Sequence, residues 1–211
     1  AGGVQVGDEL RLVPGEGGGR PVRVRSLRAL AERVGQAPAK PRAAGRPFRK
    51  VADHREDIPP EKLPSYWTRA LDDLMEAYHR ICAYSCFRIH PVTGARSVDH
   101  MAPKSRAWDR VYEWSNYRLA CSLMNARKRD FSDVLDPFEV QDEWFELEAV
   151  GFQLLPAEGL PIATNRQVSA TIDRLGLNDP PFRIARERDW SSYIDGHVSF
   201  ATLCEESPFV A

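Results

Sequence analysis

Cys82-Ala-Tyr-Ser-Cys-Phe-Arg-Ile-His-Pro-Val-Thr-Gly-Ala-Arg-Ser-Val-Asp-His100, together with Asn116-Tyr-Arg-Leu-Ala-Cys-Ser-Leu-Met-Asn-Ala-Arg-Lys-Arg129, decides how this chain is read. Cys82–His90 and Ala95–His100 flank Pro91-Val-Thr-Gly94, a pattern that predicts two strands joined by a tight turn. A loop containing Pro103 follows. Asn116 precedes an apolar turn, and residues 122–129 have the composition of a short helix. The expected order is strand, strand, helix.

Working outward, Leu63, Trp67, Leu71, Leu74, Tyr78 and Ile81 recur at spacings of three or four, which predicts one amphipathic helix over 63–81 with that stripe in the core. Ordered structure is expected to begin near Asp57-Ile-Pro-Pro60. Further upstream, residues 9–13 and 21–25 alternate apolar and polar around the Gly-rich 14–19, which reads as a hairpin or a flexible arm. Leu27–Val34 follows as a short helix capped by Ser26, and 35–46 is linker-like in its Ala, Pro, Gly and basic content. Downstream, Asp136-Pro137 opens an acidic segment whose Trp144, Phe145, Phe152 and Leu154 fit one or two strands. Residues 169–175 read as a helix ended by Gly176, and 182–204 as mixed helix and loop. The expected organisation is α+β: a basic amino-terminal arm and linker over 1–56, a central unit with helical support over 57–135, and an acidic, then mixed, extension over 136–211 packed on it.

Composition places few limits beyond these. A hydrophobic fraction of 43% and a charged fraction of 28% in 211 residues are ordinary for a globular protein. No apolar run reaches the length of a membrane span, and no basic segment followed by an apolar core marks a secretory signal, so the expectation is a cytoplasmic protein with no membrane partner. The net charge of −1 hides a strong segregation, with a balance of +7 over residues 1–50, +6 over 80–130 and −8 over 131–179. Clustered Lys and Arg are the footprint of a polyanion partner or simply a biased solvated surface; charge alone leaves both readings open.

The residues that carry chemistry are Asp99, His100, Asn116 and Asn125. Hydrolysis of a phosphodiester needs an activated water, charge neutralisation at the phosphate and help for the leaving oxygen. A neutral imidazole can take a proton from water near neutral pH. A carboxylate and an amide oxygen can hold a hard cation while leaving most of its shell open. One geometric difficulty stands: adjacent residues on a strand point to opposite faces, so the strand carrying Asp99 and His100 must end or twist there, and Met101-Ala-Pro103 allows it.

Ser97-Val-Asp-His-Met-Ala-Pro-Lys-Ser105, Trp114-Ser-Asn-Tyr-Arg-Leu-Ala-Cys121 and Asn125-Ala-Arg-Lys128 resemble the HNH endonuclease motif on a ββα-metal fold, and the Asn116-to-Asn125 spacing fits that family. The resemblance implies that His100 is the general base, that Asp99 and Asn125 hold a catalytic Mg2+ or Mn2+, and that Asn116 braces the loop carrying His100. It makes Lys104, Arg127 and Lys128 candidate phosphate contacts, against the alternative of solvated surface charge. DNA is the expected substrate, ahead of RNA. Asp136-Pro-Phe-Glu139 with Trp144-Phe145, and Thr171–Asn178, are similar to HNH effectors of bacterial antiphage defence of the Septu and retron-associated types, which implies an ATPase partner. Many HNH proteins also carry a structural zinc on two Cys-x-x-Cys pairs. Here those positions read Cys82-Ala-Tyr-Ser85, with Cys86 one place late, and Cys121-Ser-Leu-Met124. Ser and Met are poor zinc ligands, so the structural zinc is expected to be lost, with Met124, Leu123, Tyr84 and Phe87 packing in its place. A rescued set of Cys82, Cys86, Cys121 and His90 is the alternative. The rival functions are a nucleic-acid-binding module without catalysis, and an RNA or tRNA nuclease activated by a partner.

Overall fold

The computed structural model describes Val22–Arg23 and residues 65–211. Apart from Val22–Arg23, the hairpin or arm, the short helix, the linker and the onset near Asp57 all lie outside the described residues. Strand β1 (Val22–Arg23) is followed by a 3-10 turn, Tyr66–Ala70, that runs into helix α1 (Leu71–Ala77). Asp72 and Asp73 lie in the first turn of α1, where carboxylates favour the positive end of the helix. The single helix expected over 63–81 therefore ends early. His79 and Arg80 take positive φ angles of 49° and 66° and reverse the chain, yet Leu74, Tyr78 and Ile81 remain buried, so the apolar stripe still packs.

The structure corrects the predicted hairpin. Cys82–His90 is a compact reversal and forms no strand of its own: Ile81 and Arg88 share an isolated bridge, Cys82 N donates to Phe87 O at 3.0 Å, and Cys86 N donates to Cys82 O at 3.0 Å. The strand pair is instead β2 (Arg96–His100) and β3 (Tyr117–Cys121), antiparallel, with Asp99 opposite Arg118 and His100 opposite Tyr117. Tyr117–Ala120 is buried throughout, so β3 lacks the alternation that marks a half-exposed strand in sequence. Helix α2 (Ser122–Lys128) starts directly after β3 and packs against both strands.

A second antiparallel sheet has the order β1-β4-β5, with β4 at Phe145–Leu147 and β5 at Leu154–Pro156. Val22 pairs with Leu147 and Arg23 with Glu146. Helix α3 (Ile162–Leu175) stops at Gly176, whose φ of 58° is left-handed. A Cβ on Gly176 would come within 2.4 Å of Arg127 Nη1, so the position needs glycine for space as well as for conformation. Helix α4 (Pro180–Ile194) opens with Pro in its first turn, and α5 (Phe200–Glu206) is capped by Ser199 Oγ, which accepts from Thr202 N at 3.1 Å.

The fold is thus mixed α+β, with five α-helices and two small antiparallel sheets among the described residues. One continuous cluster of buried side chains runs from Leu74 to Phe209 and joins the β2–β3–α2 unit to the carboxy-terminal helices. Arg186 helps to seal that junction: it is 1% exposed, and its guanidinium donates to Phe152 O at 2.8 Å and Leu177 O at 2.6 Å. No helix among the described residues is long and apolar enough to cross a membrane.

Candidate functional site

The end of β2, the loop from Met101 to Asn116, and α2 bring all four chemistry-bearing residues into one region. His100 is the last residue of β2 and is 6% exposed. Its Nε2 lies 2.9 Å from Val111 O, and a carbonyl can only accept. Nε2 therefore carries the proton, which leaves Nδ1 as the bare, basic nitrogen. The imidazole is held edge-on by Trp67 at 5.0 Å and Tyr117 at 5.3 Å between ring centroids. Burial pushes its pKa from 6.5 down to about 4; the Val111 bond opposes this, and the Lys104 and Lys128 charges add to it. His100 is consequently neutral across the physiological range.

Asn116 is 1% exposed and spends its amide on the loop backbone. Its Oδ1 accepts from Ala102 N at 2.7 Å, and its Nδ2 donates to Ala102 O at 3.1 Å and Arg110 O at 3.3 Å. Its own carbonyl accepts from Met101 N at 2.9 Å. Both ends of the loop are thereby clamped, and Arg110 adjoins Val111, the residue that orients His100.

Asp99 is 2% exposed and meets a different set of neighbours. Its Oδ2 accepts from the Tyr84 hydroxyl at 2.5 Å and lies 3.2 Å from Lys128 Nζ. Burial raises its pKa, against the opposing pull of Lys128 and Tyr84. Both interactions fall on Oδ2, so Oδ1 is the oxygen that would be offered to a cation. On α2, Asn125 Nδ2 donates to Ser97 Oγ at 3.2 Å and Val98 O at 3.3 Å, an orientation that leaves Oδ1 as its remaining donor atom. Two hard oxygens from adjoining elements match the preference of Mg2+ or Mn2+ in chemical type. Among the described residues no cluster of three or more His, Cys, Asp or Glu could hold a metal ion; a pair made of one carboxylate and one amide is not such a cluster.

Lys128 and Arg127, expected as phosphate contacts, are engaged within the protein. Lys128 is 0% exposed, and its ammonium donates to His100 O at 3.0 Å and Met101 O at 3.3 Å besides pairing with Asp99. All three of its N–H groups are engaged inside the protein. Arg127 turns to the end of α3, donating to Leu175 O at 2.6 Å, Gly176 O at 3.1 Å and Asp179 Oδ2 at 2.6 Å. Lys104 alone of the three is an exposed residue, with Nζ 4.2 Å from the Trp67 ring centroid.

The zinc positions also come together. Cys121 N donates to Cys82 Sγ at 3.4 Å, and the Cys82 thiol hydrogen-bonds with the Cys121 thiol and with Ser85. Burial raises the Cys82 pKa, but hydrogen bonds from Cys121 and Ser85 more than offset it and lower it; the same bond to Cys82 raises the pKa of Cys121. Met124 and Tyr84 are buried here, whereas Leu123, expected in the same packing, is 48% exposed. His90 does not join the cysteines: its Nδ1 accepts from Val92 N at 3.2 Å and Thr93 N at 3.1 Å in the turn before β2. Two participants in the site had no functional signal in sequence. Tyr84 reads as apolar packing although its hydroxyl meets Asp99, and Val111 acts through a backbone carbonyl that every residue possesses. Compared with known proteins, the chain matches no family model and no curated protein.

Proposed function

We propose that the protein is a divalent-metal-dependent endonuclease of the HNH type, its β2–β3–α2 unit serving as a ββα-metal core that cuts phosphodiester bonds, with DNA as the favoured substrate. The observation that carries this reading is the fixed tautomer of His100. Val111 O claims the Nε2 proton, so Nδ1 is presented unprotonated at the end of the strand that bears Asp99. A neutral, oriented imidazole is the group that takes a proton from an attacking water.

Asp99 and Asn125 would hold the cation, which when bound supplies charge neutralisation at the phosphate and at the leaving oxygen. The chain's own residues do the remainder. His100 Nδ1 accepts the proton of the nucleophilic water. Asn116 is a positioning residue: it clamps residues 102 and 110, and through them the Val111 carbonyl that sets the imidazole. Lys104 is the one candidate phosphate contact of the three that is exposed.

One observation favours a second reading, a nucleic-acid-binding module without catalysis. The Lys128 ammonium already balances Asp99, so a divalent cation would enter beside a neutral pair and not beside an unpaired carboxylate. Cleavage of supercoiled plasmid with magnesium or manganese, comparing the native protein, His100→Ala and an EDTA control, separates the two. Nicking that disappears in both controls supports the nuclease. A native protein that binds the plasmid and leaves it intact supports the silent module, and cutting that survives in His100→Ala refutes the role given to that residue.

A further inference from the structure

Beside His100 lies a run of aromatic rings that the proposed chemistry does not use. Trp67 stands perpendicular to His100 with ring centroids 5.0 Å apart, Tyr112 stacks on Trp67 at 6.1 Å and an interplanar angle of 27°, and Tyr66 lies 5.8 Å from Tyr112, tilted by 40°. Cations sit over the run at two places: Lys104 Nζ is 4.2 Å from the Trp67 centroid, and Arg69 Cζ is 4.8 Å from that of Tyr66. Tyr66 is 52% exposed and Arg69 is exposed as well. A large aromatic ring left half in water at the end of such a run offers apolar surface that a flat ligand can cover.

We infer that Tyr66, with Arg69 over its ring, is a stacking platform for an unpaired base of a nucleic acid strand whose backbone passes His100. This rests on the nuclease reading for the position of the strand, and it adds what that reading does not specify, a substrate with unpaired bases at the cutting site. The argument for this occupant is chemical. A run of rings with one cation over Tyr66 and another over Trp67 complements a ligand that joins a π-face to a phosphate, which is what each nucleotide offers. In a duplex every internal base already spends both faces on its neighbours, so a protein ring can stack only on a base in a single strand, flap, mismatch or end. The geometry also places the platform on the His100 side of the site, while Asp99 and Lys128 are turned to Tyr84 and α2. Base stacking and water activation would thus share one edge of the site and one strand.

The test measures binding and cleavage separately on the full chain. In EDTA, fluorescence anisotropy compares a short labelled single strand with the duplex of the same sequence, for the native protein, Tyr66→Ala and Tyr66→Phe. The native protein should prefer the single strand. Tyr66→Ala should weaken that complex by about 5-fold or more while changing duplex binding little, and Tyr66→Phe, which keeps the ring, should restore the preference. Equal affinity of native protein and Tyr66→Ala for the single strand overturns the platform, as does a native preference for duplex or no binding of either form. A thermal melt of Tyr66→Ala that matches the native protein ties any loss to the surface and not to the fold. Plasmid cleavage in magnesium or manganese is the separate arm. If the single-strand preference depends on the ring but no bond is cut, the platform stands and the nuclease reading fails; if bonds are cut and Tyr66→Ala binds like the native protein, the reverse holds.

Discussion

Replacing Lys128 with Met tests the centre of the site most directly. The lysine is 0% exposed, and its ammonium serves Asp99 Oδ2 at 3.2 Å, His100 O at 3.0 Å and Met101 O at 3.3 Å. Met fills similar volume, so the change isolates the charge. Removing one partner of a buried ion pair leaves the other desolvated and uncompensated, which destabilises by about 3–5 kcal/mol. The two orphaned carbonyls act in the same direction, although their contribution overlaps with that figure. Urea unfolding followed by circular dichroism measures the loss. The double variant Lys128→Met/Asp99→Asn should recover much of it, because a neutral amide oxygen at position 99 still accepts from Tyr84. Magnesium should then stabilise Lys128→Met more than the native protein, since the uncompensated carboxylate is the better cation ligand and binding to the folded state adds RT ln(1 + [L]/Kd). A loss below about 1 kcal/mol, or a double variant no more stable than the single one, would refute the buried pair as the organising charge of the site.

Two further outcomes follow from the same region. The folded pKa of His100, about 4, lies below its ordinary 6.5, so between those values the unfolded chain binds a proton that the folded one refuses. The contribution is fully present above about pH 6.5 and falls as pH drops through that window, by about 2 kcal/mol near pH 5. His100→Gln, whose amide can still donate to Val111 O, should lack this slope in denaturation curves recorded across the window. Asn116→Ala should destabilise by about 1–3 kcal/mol for the backbone groups it leaves unpaired. It should also slow plasmid cleavage with little change in plasmid affinity, and a variant that cuts at the native rate would remove Asn116 from the positioning of His100.

How far the sequence foretold this structure depends on what each residue's surroundings expose. Gly176 marks the end of α3 legibly because a left-handed residue is required there. The start of α3 at Ile162, seven residues before the expected Ser169, was illegible for a physical reason: before Val168 every side chain but Thr164 is exposed, and periodicity reports only a packed face. The opposite problem hid the strands. Residues 81–86 are all buried, and so is β3 up to Ala120, so neither segment shows the alternation of a half-wet strand; a buried reversal then reads as a strand and a buried strand as a turn. Asp99, His100, Asn116 and Asn125 stood out as a set through their joint spacing and its resemblance to the HNH motif; in the fold the first three are buried and Asn125 is half-buried. The inward turn of Lys128 and Arg127 was not legible, since a basic residue on a short helix is usually solvated and nothing local reveals acceptors at positions 100, 101, 175 and 179.

Asn125 and Lys128 stand three apart on α2, hence on one face, and between them they bond to five consecutive positions of the facing chain. Asn125 takes Ser97 and Val98, and Lys128 takes Asp99, His100 and Met101. The helix is therefore stitched along the end of β2 by polar side chains, and stitching alone explains why an amide and an ammonium occur at this spacing. Asn116 is likewise explained by the loop it clamps. A purely structural account can absorb most of the polar atoms in the motif. Three atoms resist it: His100 Nδ1, Asp99 Oδ1 and Asn125 Oδ1, for which the described residues supply no hydrogen bond, although each belongs to a side chain whose other polar atom is fixed by one. A side chain anchored at one atom holds the second in a fixed place as well. On the nuclease reading proposed above, an imidazole nitrogen, a carboxylate oxygen and an amide oxygen of this kind would serve as a base and two hard ligands, a combination that a binding surface alone does not need.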